Sequence, residues 1–211
     1  MSSHLWSFDM AGKFEIWTNR DLEDLIDAYP LASIVSSSPG YIVSEMPMLL
    51  DLDANGTPVS LTGHLPRNGP HAGILHRDPA ALFIFRGANG YISPGTAGKK
   101  DWAPTWNFAV AHVVAEVQLD DRLTDESLER VVAHMERERK EPWSIADLGS
   151  RYQSLRAAVI GFRAPIRSIQ ARFKLGQDET PDTLQTIVQG VGDEALAGWM
   201  RRFNPSLMDT R

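Results

Sequence analysis

The dipeptide Asn55-Gly56 constrains this chain more than any other pair of neighbours. Both residue types tolerate positive φ, and in a tight loop that tolerance matches the twist of two antiparallel strands. The flanking residues agree. From Tyr41 to Leu52, Met46, Met48, Leu50 and Leu52 alternate with Glu45, Pro47, Leu49 and Asp51, and Pro58–Leu65 supplies the returning strand. Leu31–Ser37, Ala81–Phe85 and Tyr91-Ile92-Ser93 read as further strands, separated by turns at Ser38-Pro39-Gly40 and Gly87-Ala88-Asn89-Gly90. A long strand follows at Thr105–Leu119, with Val113, Ala115, Val117 and Leu119 on one face and His112, Val114, Glu116 and Gln118 on the other. Short strands joined by turn chemistry over about the first 120 residues predict a mainly β fold, an antiparallel β-barrel with helical decorations.

Helices frame that barrel. Thr18 and Asp21 form the start signal of a short helix whose stripe is Leu22, Leu25, Ile26 and Tyr29, and Pro30 ends it. Later, Thr124 reads as the cap of a helix with Asp125 and Glu126 in its first turn and the stripe Leu128, Val131, Val132 and Met135. A helical stretch from Ser144 to about Leu155 leads to a strand at Ala158–Ile166. Thr180-Pro181 opens another helix, with Leu184, Ile187, Val188 and Val191 on one face, and a last one carries Leu196, Trp199, Met200 and Phe203. With no repeat and no obvious linker, residues 1–211 read as a single domain, its barrel core at about 14–175 and a C-terminal helical segment at about 178–205.

Composition removes several chemistries. The 211 residues include no cysteine, so disulfides, thiolate nucleophiles and Cys-ligated metal clusters are all excluded. Lys and Arg number 21 against 27 Asp and Glu, a net charge of −6 that argues against broad contact with phosphate backbones. The segment 1–14 lacks the order of a signal peptide, and no stretch approaches the roughly 20 apolar residues of a membrane span. A cytoplasmic location is the expectation. His64, His71 and His76 lack the i, i+4 spacing of a zinc-binding helix, and Pro70 and Gly73 interrupt them, so no metal site is expected. Neither a Gly-x-Ser-x-Gly elbow nor a P-loop is present, and no residue pair calls for a general acid or base.

Two segments stand out chemically. In the irregular run Gly63–His71, Arg67 offers a forked cation and the glycines let backbone amides approach an anion, although an ordinary surface loop has the same composition. In Trp102-Ala103-Pro104-Thr105-Trp106-Asn107-Phe108, aromatic side chains around a fixed proline could wall a flat heteroaromatic ring, or simply pack a strand entry.

Four runs taken in order carry a family resemblance: Gly63-His64-Leu65-Pro66-Arg67-Asn68; Gly90-Tyr91-Ile92-Ser93-Pro94; Pro104-Thr105-Trp106-Asn107-Phe108 with His112 downstream; and Ile160-Gly161-Phe162 with Lys174-Leu175-Gly176-Gln177. The chain resembles the PaiB-type FMN-binding negative transcriptional regulators from about Phe14 to about Phe203. That resemblance implies an FMN-binding split β-barrel that forms a homodimer with cofactor sites at the subunit interface. It implies His64, Arg67 and Asn68 beside FMN, with Arg67 as the phosphate candidate. Trp106 and Asn107 would flank the ring, and Tyr91 and Ser93 would lie on the strand edge. Lys99 or Lys100 offers a second cation on charge grounds alone. The chain departs from the family pattern where Asn68 is followed by Gly69-Pro70-His71 without an aromatic, and where Gly95-Thr96-Ala97-Gly98 replaces an aromatic pair. The implied function is flavin binding, with flavin-dependent oxidoreduction as an accompanying activity. The alternatives are a cofactor-free regulatory or interaction protein, and a haem-binding split barrel using His64, His71 or His112. Direct nucleic-acid binding is not expected, because the chain is acidic and shows no helix-turn-helix with a basic face.

Overall fold

A computed structural model describes residues 12–37 and 40–207. The turn expected at 38–40 and most of the segment 1–14 therefore lie outside the described residues. The chain sorts into two compact units, each assembled from separate stretches. The larger comprises residues 19–87 and 111–170, and the smaller comprises 1–18, 88–110 and 171–211.

The larger unit begins with α1 (Asn19–Ala28), which buries Leu22, Leu25 and Ile26 as the stripe requires. Strands β1 (Leu31–Ser36), β2 (Ile42–Leu52) and β3 (Pro58–Pro66) form a meander, and β1 pairs antiparallel on its other side with β4 (Ala80–Ile92). The strand order is β3-β2-β1-β4-β5-β7, where β5 is Thr105–Glu116 and β7 is Val159–Lys174. Pairing of β3 with β7, Ser60 opposite Pro165 through Pro66 opposite Val159, closes a six-stranded antiparallel barrel. A two-residue β6 (Gln118–Leu119) also pairs β7. Ile34, Met48, Leu61, Leu65, Phe83 and Phe162 fill the interior, with the rings of Phe83 and Phe162 6.2 Å apart.

Several local expectations are corrected, each for a physical reason. The hairpin exists at 53–57, but only Gly56 takes positive φ, at +76°. Asp53 organises the turn instead, its carboxylate accepting from the amides of Asn55 (2.8 Å) and Thr57 (2.9 Å). The run 63–71 is not irregular: β3 continues to Pro66, and α2 (Pro70–Leu75) starts with proline in its first turn. Gly63 serves packing there, since a Cβ would lie 2.6 Å from the Met48 sulfur.

Residues 87–90 are likewise no turn but the middle of β4; Gly90 leaves space for Leu196, which would lie 2.8 Å from a Cβ. The strand from Thr105 breaks at Val117, which donates to the Pro79 carbonyl (2.8 Å). The strand expected to end at Ile166 runs on to Lys174.

The helix α3 (Thr124–Glu136) also sits differently. Asp120 caps a short 3-10 turn before it, and Thr124 is fully buried, accepting from the Gly161 amide (3.0 Å). Its buried face is Thr124, Ser127 and Val131, while Met135 is exposed. Small residues occupy that face because β7 approaches closely at Gly161. Residues 145–157 follow as a 3-10 segment with a Ser144/Asp147 capping box and α4 (Tyr152–Ala157).

The smaller unit contains the ends of β4, β5 and β7 together with α5 (Pro181–Gly190) and α6 (Glu194–Arg202). Phe173 stacks on Phe203 at 4.6 Å and on Trp199 at 5.8 Å. Asn204 closes the C-terminal turn by donating to the carbonyls of Leu175 (3.1 Å) and Met200 (2.8 Å).

Candidate functional site

The residues expected around a cofactor fall into two groups, one in each unit. In the larger unit, His64 lies on β3 opposite Gly161 and is half-buried. Its Nδ1 is buried with no hydrogen-bond partner among the described residues, and burial pushes its pKa down, which favours the neutral ring.

Arg67 is strongly engaged. Its Nε donates to the Ala157 carbonyl (3.1 Å) and its Nη2 to the Val159 carbonyl (2.7 Å) and to the Asp121 carboxylate. Asn68 is exposed just beyond it. His71 sits at the start of α2, buried, with Nε2 bonded to Ser36 Oγ (2.9 Å) and Nδ1 to Ser44 Oγ (2.8 Å). Both ring nitrogens are thus committed within the protein. His112 is exposed on β5; burial and the nearby Arg86 charge lower its pKa.

In the smaller unit, β4 and β5 bring Tyr91 and Trp106 together, their ring centroids 6.0 Å apart and their planes inclined by 56°. Both rings remain half in solvent, at 54% and 51% exposure, which is unusual for two adjacent large aromatics. Trp106 Nε1 donates to Asn89 Oδ1 (3.3 Å), which fixes the indole. Asn107, one residue on, points the opposite way. It is only 2% exposed, and its amide nitrogen lies 3.7 Å from the Met200 sulfur. Ser93 is tied into a local turn, its Oγ accepting from the Thr96 amide (3.0 Å). Trp102 donates to Glu179 (3.2 Å), and Lys99 and Lys100 are exposed. The structure therefore unites Tyr91 with Trp106, and does not join Asn107 or Ser93 to that pair.

Beside the pair lies a cluster whose assembly around Phe14 the sequence does not show, although Lys174 belongs to one of the family runs. Phe14 is surrounded by Lys13, Arg172 and Lys174, whose charged groups lie 5.6, 5.0 and 6.0 Å from its ring centroid. Phe14 joins β7 because its carbonyl accepts from the Phe173 amide (2.8 Å). The alternation of Arg172 and Lys174 across Phe173 was the available signal, but it needed β7 to extend to Lys174. Among the described residues, no group of three His, Asp or Glu side chains is arranged to hold a metal ion. No helix among them is long and apolar enough to cross a membrane.

The chain's closed six-stranded antiparallel barrel is a fold shared with solved structures. Its fold is similar to the FAD and Heme binding protein from Mycobacterium smegmatis (TM-score 0.58, 14% identity, 80% of this chain and 77% of that one). It is also similar to the Flavocytochrome Anf3 from Azotobacter vinelandii (TM-score 0.53, 16% identity, 75% and 68%). A family model described as "Putative FMN-binding domain" matches residues 10–168, and the chain belongs to that family. Among curated proteins it is similar to the Bacillus subtilis "Protease synthase and sporulation protein PAI 2", 21% identical over 185 residues, which cover 86% of this chain and 87% of the relative.

Proposed function

We propose that this protein binds FMN and presents it for redox chemistry. The observation that carries this reading is the half-exposed Tyr91–Trp106 pair, two neighbouring rings inclined at 56° and left open to solvent in a chain of the FMN-binding family. A bound flavin supplies hydride and electron transfer; the chain supplies binding, orientation and electrostatics. Tyr91 and Trp106 offer a surface for the ring system. Ser93 and Asn107, in the same unit as these two rings, hold the local backbone through the bonds they already make.

The protein acts as a homodimer in this proposal. Leu31 and Val43 are 60% and 55% exposed on the outward face of β1 and β2, and Val114 is exposed on β5. These apolar side chains, with the hydrogen-bonded Ser33, Glu45 and Arg86 among them, form the sheet face that the proposal gives to a second copy of the chain.

The test is an absorbance spectrum of the purified protein followed by FMN titration, in wild type and in Trp106→Ala. A flavin band, or saturable FMN binding that weakens about tenfold in the variant, is expected. A colourless protein that takes up no FMN sinks the proposal. A Soret band on haem titration in place of flavin uptake sinks it too, and favours the haem alternative.

A further inference from the structure

The geometry points to Lys174 and Lys13 as the phosphate anchor of the flavin site, a role that rests on the FMN reading above.

Three cations converge on the Phe14 ring, and among the described residues one carboxylate answers them: Arg172 pairs with Glu15. Among the described residues Lys174 bonds to neutral oxygens, the Thr105 hydroxyl and the Trp106 carbonyl (3.3 Å). Lys13 is exposed and makes no ion pair among the described residues. The cluster of Lys13, Arg172, Lys174 and Glu15 thus keeps a surplus of positive charge in a chain whose net charge is −6. Like charges held this close repel one another unless an anion joins them, and a phosphate dianion does so most strongly.

Position links this charge to the stacking surface. Lys174 is bonded to the backbone of Trp106, the residue whose indole packs on Tyr91. A ligand that is flat at one end and doubly anionic at the other matches such a surface. Arg67, the cation favoured by sequence, already satisfies two carbonyls and a carboxylate. Lys174 and Lys13 have no carboxylate partner among the described residues, and FMN differs from riboflavin only in carrying the group they would bind.

That difference supplies the test. FMN and riboflavin are titrated against wild type, Lys13→Ala and Lys174→Met, with circular dichroism confirming that each variant is folded. Wild type is expected to bind FMN at least about tenfold more tightly than riboflavin. Each lysine variant is expected to lose most of that preference while keeping its riboflavin affinity, and inorganic phosphate is expected to weaken FMN binding alone. Because Lys174 also bonds to the β5 backbone, the exposed Lys13 keeps the test decisive if Lys174→Met unfolds. Equal affinity for the two flavins, or a variant that weakens both alike, overturns the assignment and leaves flavin binding standing. Binding of neither flavin overturns both.

Discussion

Arg67 and Asp121 are joined by a charge-assisted hydrogen bond that fastens the end of β3 to the 3-10 turn before α3. The pair belongs to a longer chain of contacts. Arg156 also holds Asp121 (3.0 Å) and bridges to Asp125 (3.1 Å), which accepts from the Tyr152 hydroxyl. Hydrogen bonding to Asp125 pushes the Tyr152 pKa up to about 12, and the Arg156 and Tyr152 bonds keep Asp125 low. Arg67 therefore ties β3, the start of β7 and α3 together.

Arg67→Ala is consequently expected to act on stability. Loss of its bonds leaves the Val159 and Ala157 carbonyls and Asp121 without this donor, at a cost of about 1–2 kcal/mol. Urea denaturation should show a lower midpoint with an unchanged slope. An unchanged midpoint would contradict the structural role.

Asp51 predicts an acid limit to stability. Burial alone raises its pKa, but hydrogen bonds from Ser60 (2.6 Å), Thr62 (2.7 Å) and Arg130 (2.6 Å), with the Arg130 charge, bring it below 3.8. The folded form thus holds this proton more weakly than the unfolded chain. Stability from this group is complete above the unfolded value and is lost as pH falls through the lower folded one. In Asp51→Asn the fall in stability between about pH 4.5 and 2.5 should flatten. A wild-type slope in the variant would show that other carboxylates set the acid limit.

His71 predicts a second, milder dependence. Burial lowers its pKa from 6.5, so below that value the unfolded chain binds a proton more readily than the folded one. Its contribution is present above about pH 6.5 and declines as pH falls further. His64 and His112 shift the same way, so the three add. Replacing His71 with Gln should reduce the change in denaturation midpoint between pH 7.5 and 5.5, by chemical denaturation at each pH. If the midpoint difference is as large as in wild type, His71 is not a contributor.

The barrel was legible because its signals are local. Alternation in β2, the turn at Gly56 and the stripe Leu22, Leu25 and Ile26 of α1 are properties of neighbours in sequence. Glycine misled wherever its purpose was distant. Gly63 and Gly90 resemble turn residues, yet they lie within strands because Met48 and Leu196 occupy the space of a side chain. Site residues followed the same division. Tyr91 and Trp106 were singled out and do meet, whereas the inward orientation of Asn107 depends on α6, nearly a hundred residues away. The gathering of Lys13, Arg172 and Lys174 around Phe14 is not legible for a similar reason, since Phe14 meets β7, at Phe173, only after folding.

Gly161 gives the sharpest stability prediction from such distant packing. An added Cβ would lie 2.5 Å from the carbonyl carbon and oxygen of Leu123 and 2.6 Å from the Thr124 nitrogen. These are backbone atoms, so no rotamer change relieves the clash. The Gly161 amide also donates to Thr124 Oγ1, so the same shift breaks a buried bond. Gly161→Ala is expected to cost roughly 2–4 kcal/mol and lower the melting temperature by several degrees or more. Gly198→Ala is the contrasting case: it lies in α6 without a positive φ, nothing lies within 4 Å of the added atom, and the change is expected to be neutral or stabilising. If Gly161→Ala melts no lower than Gly198→Ala, α3 does not approach β7 as closely as the register at Gly161 requires.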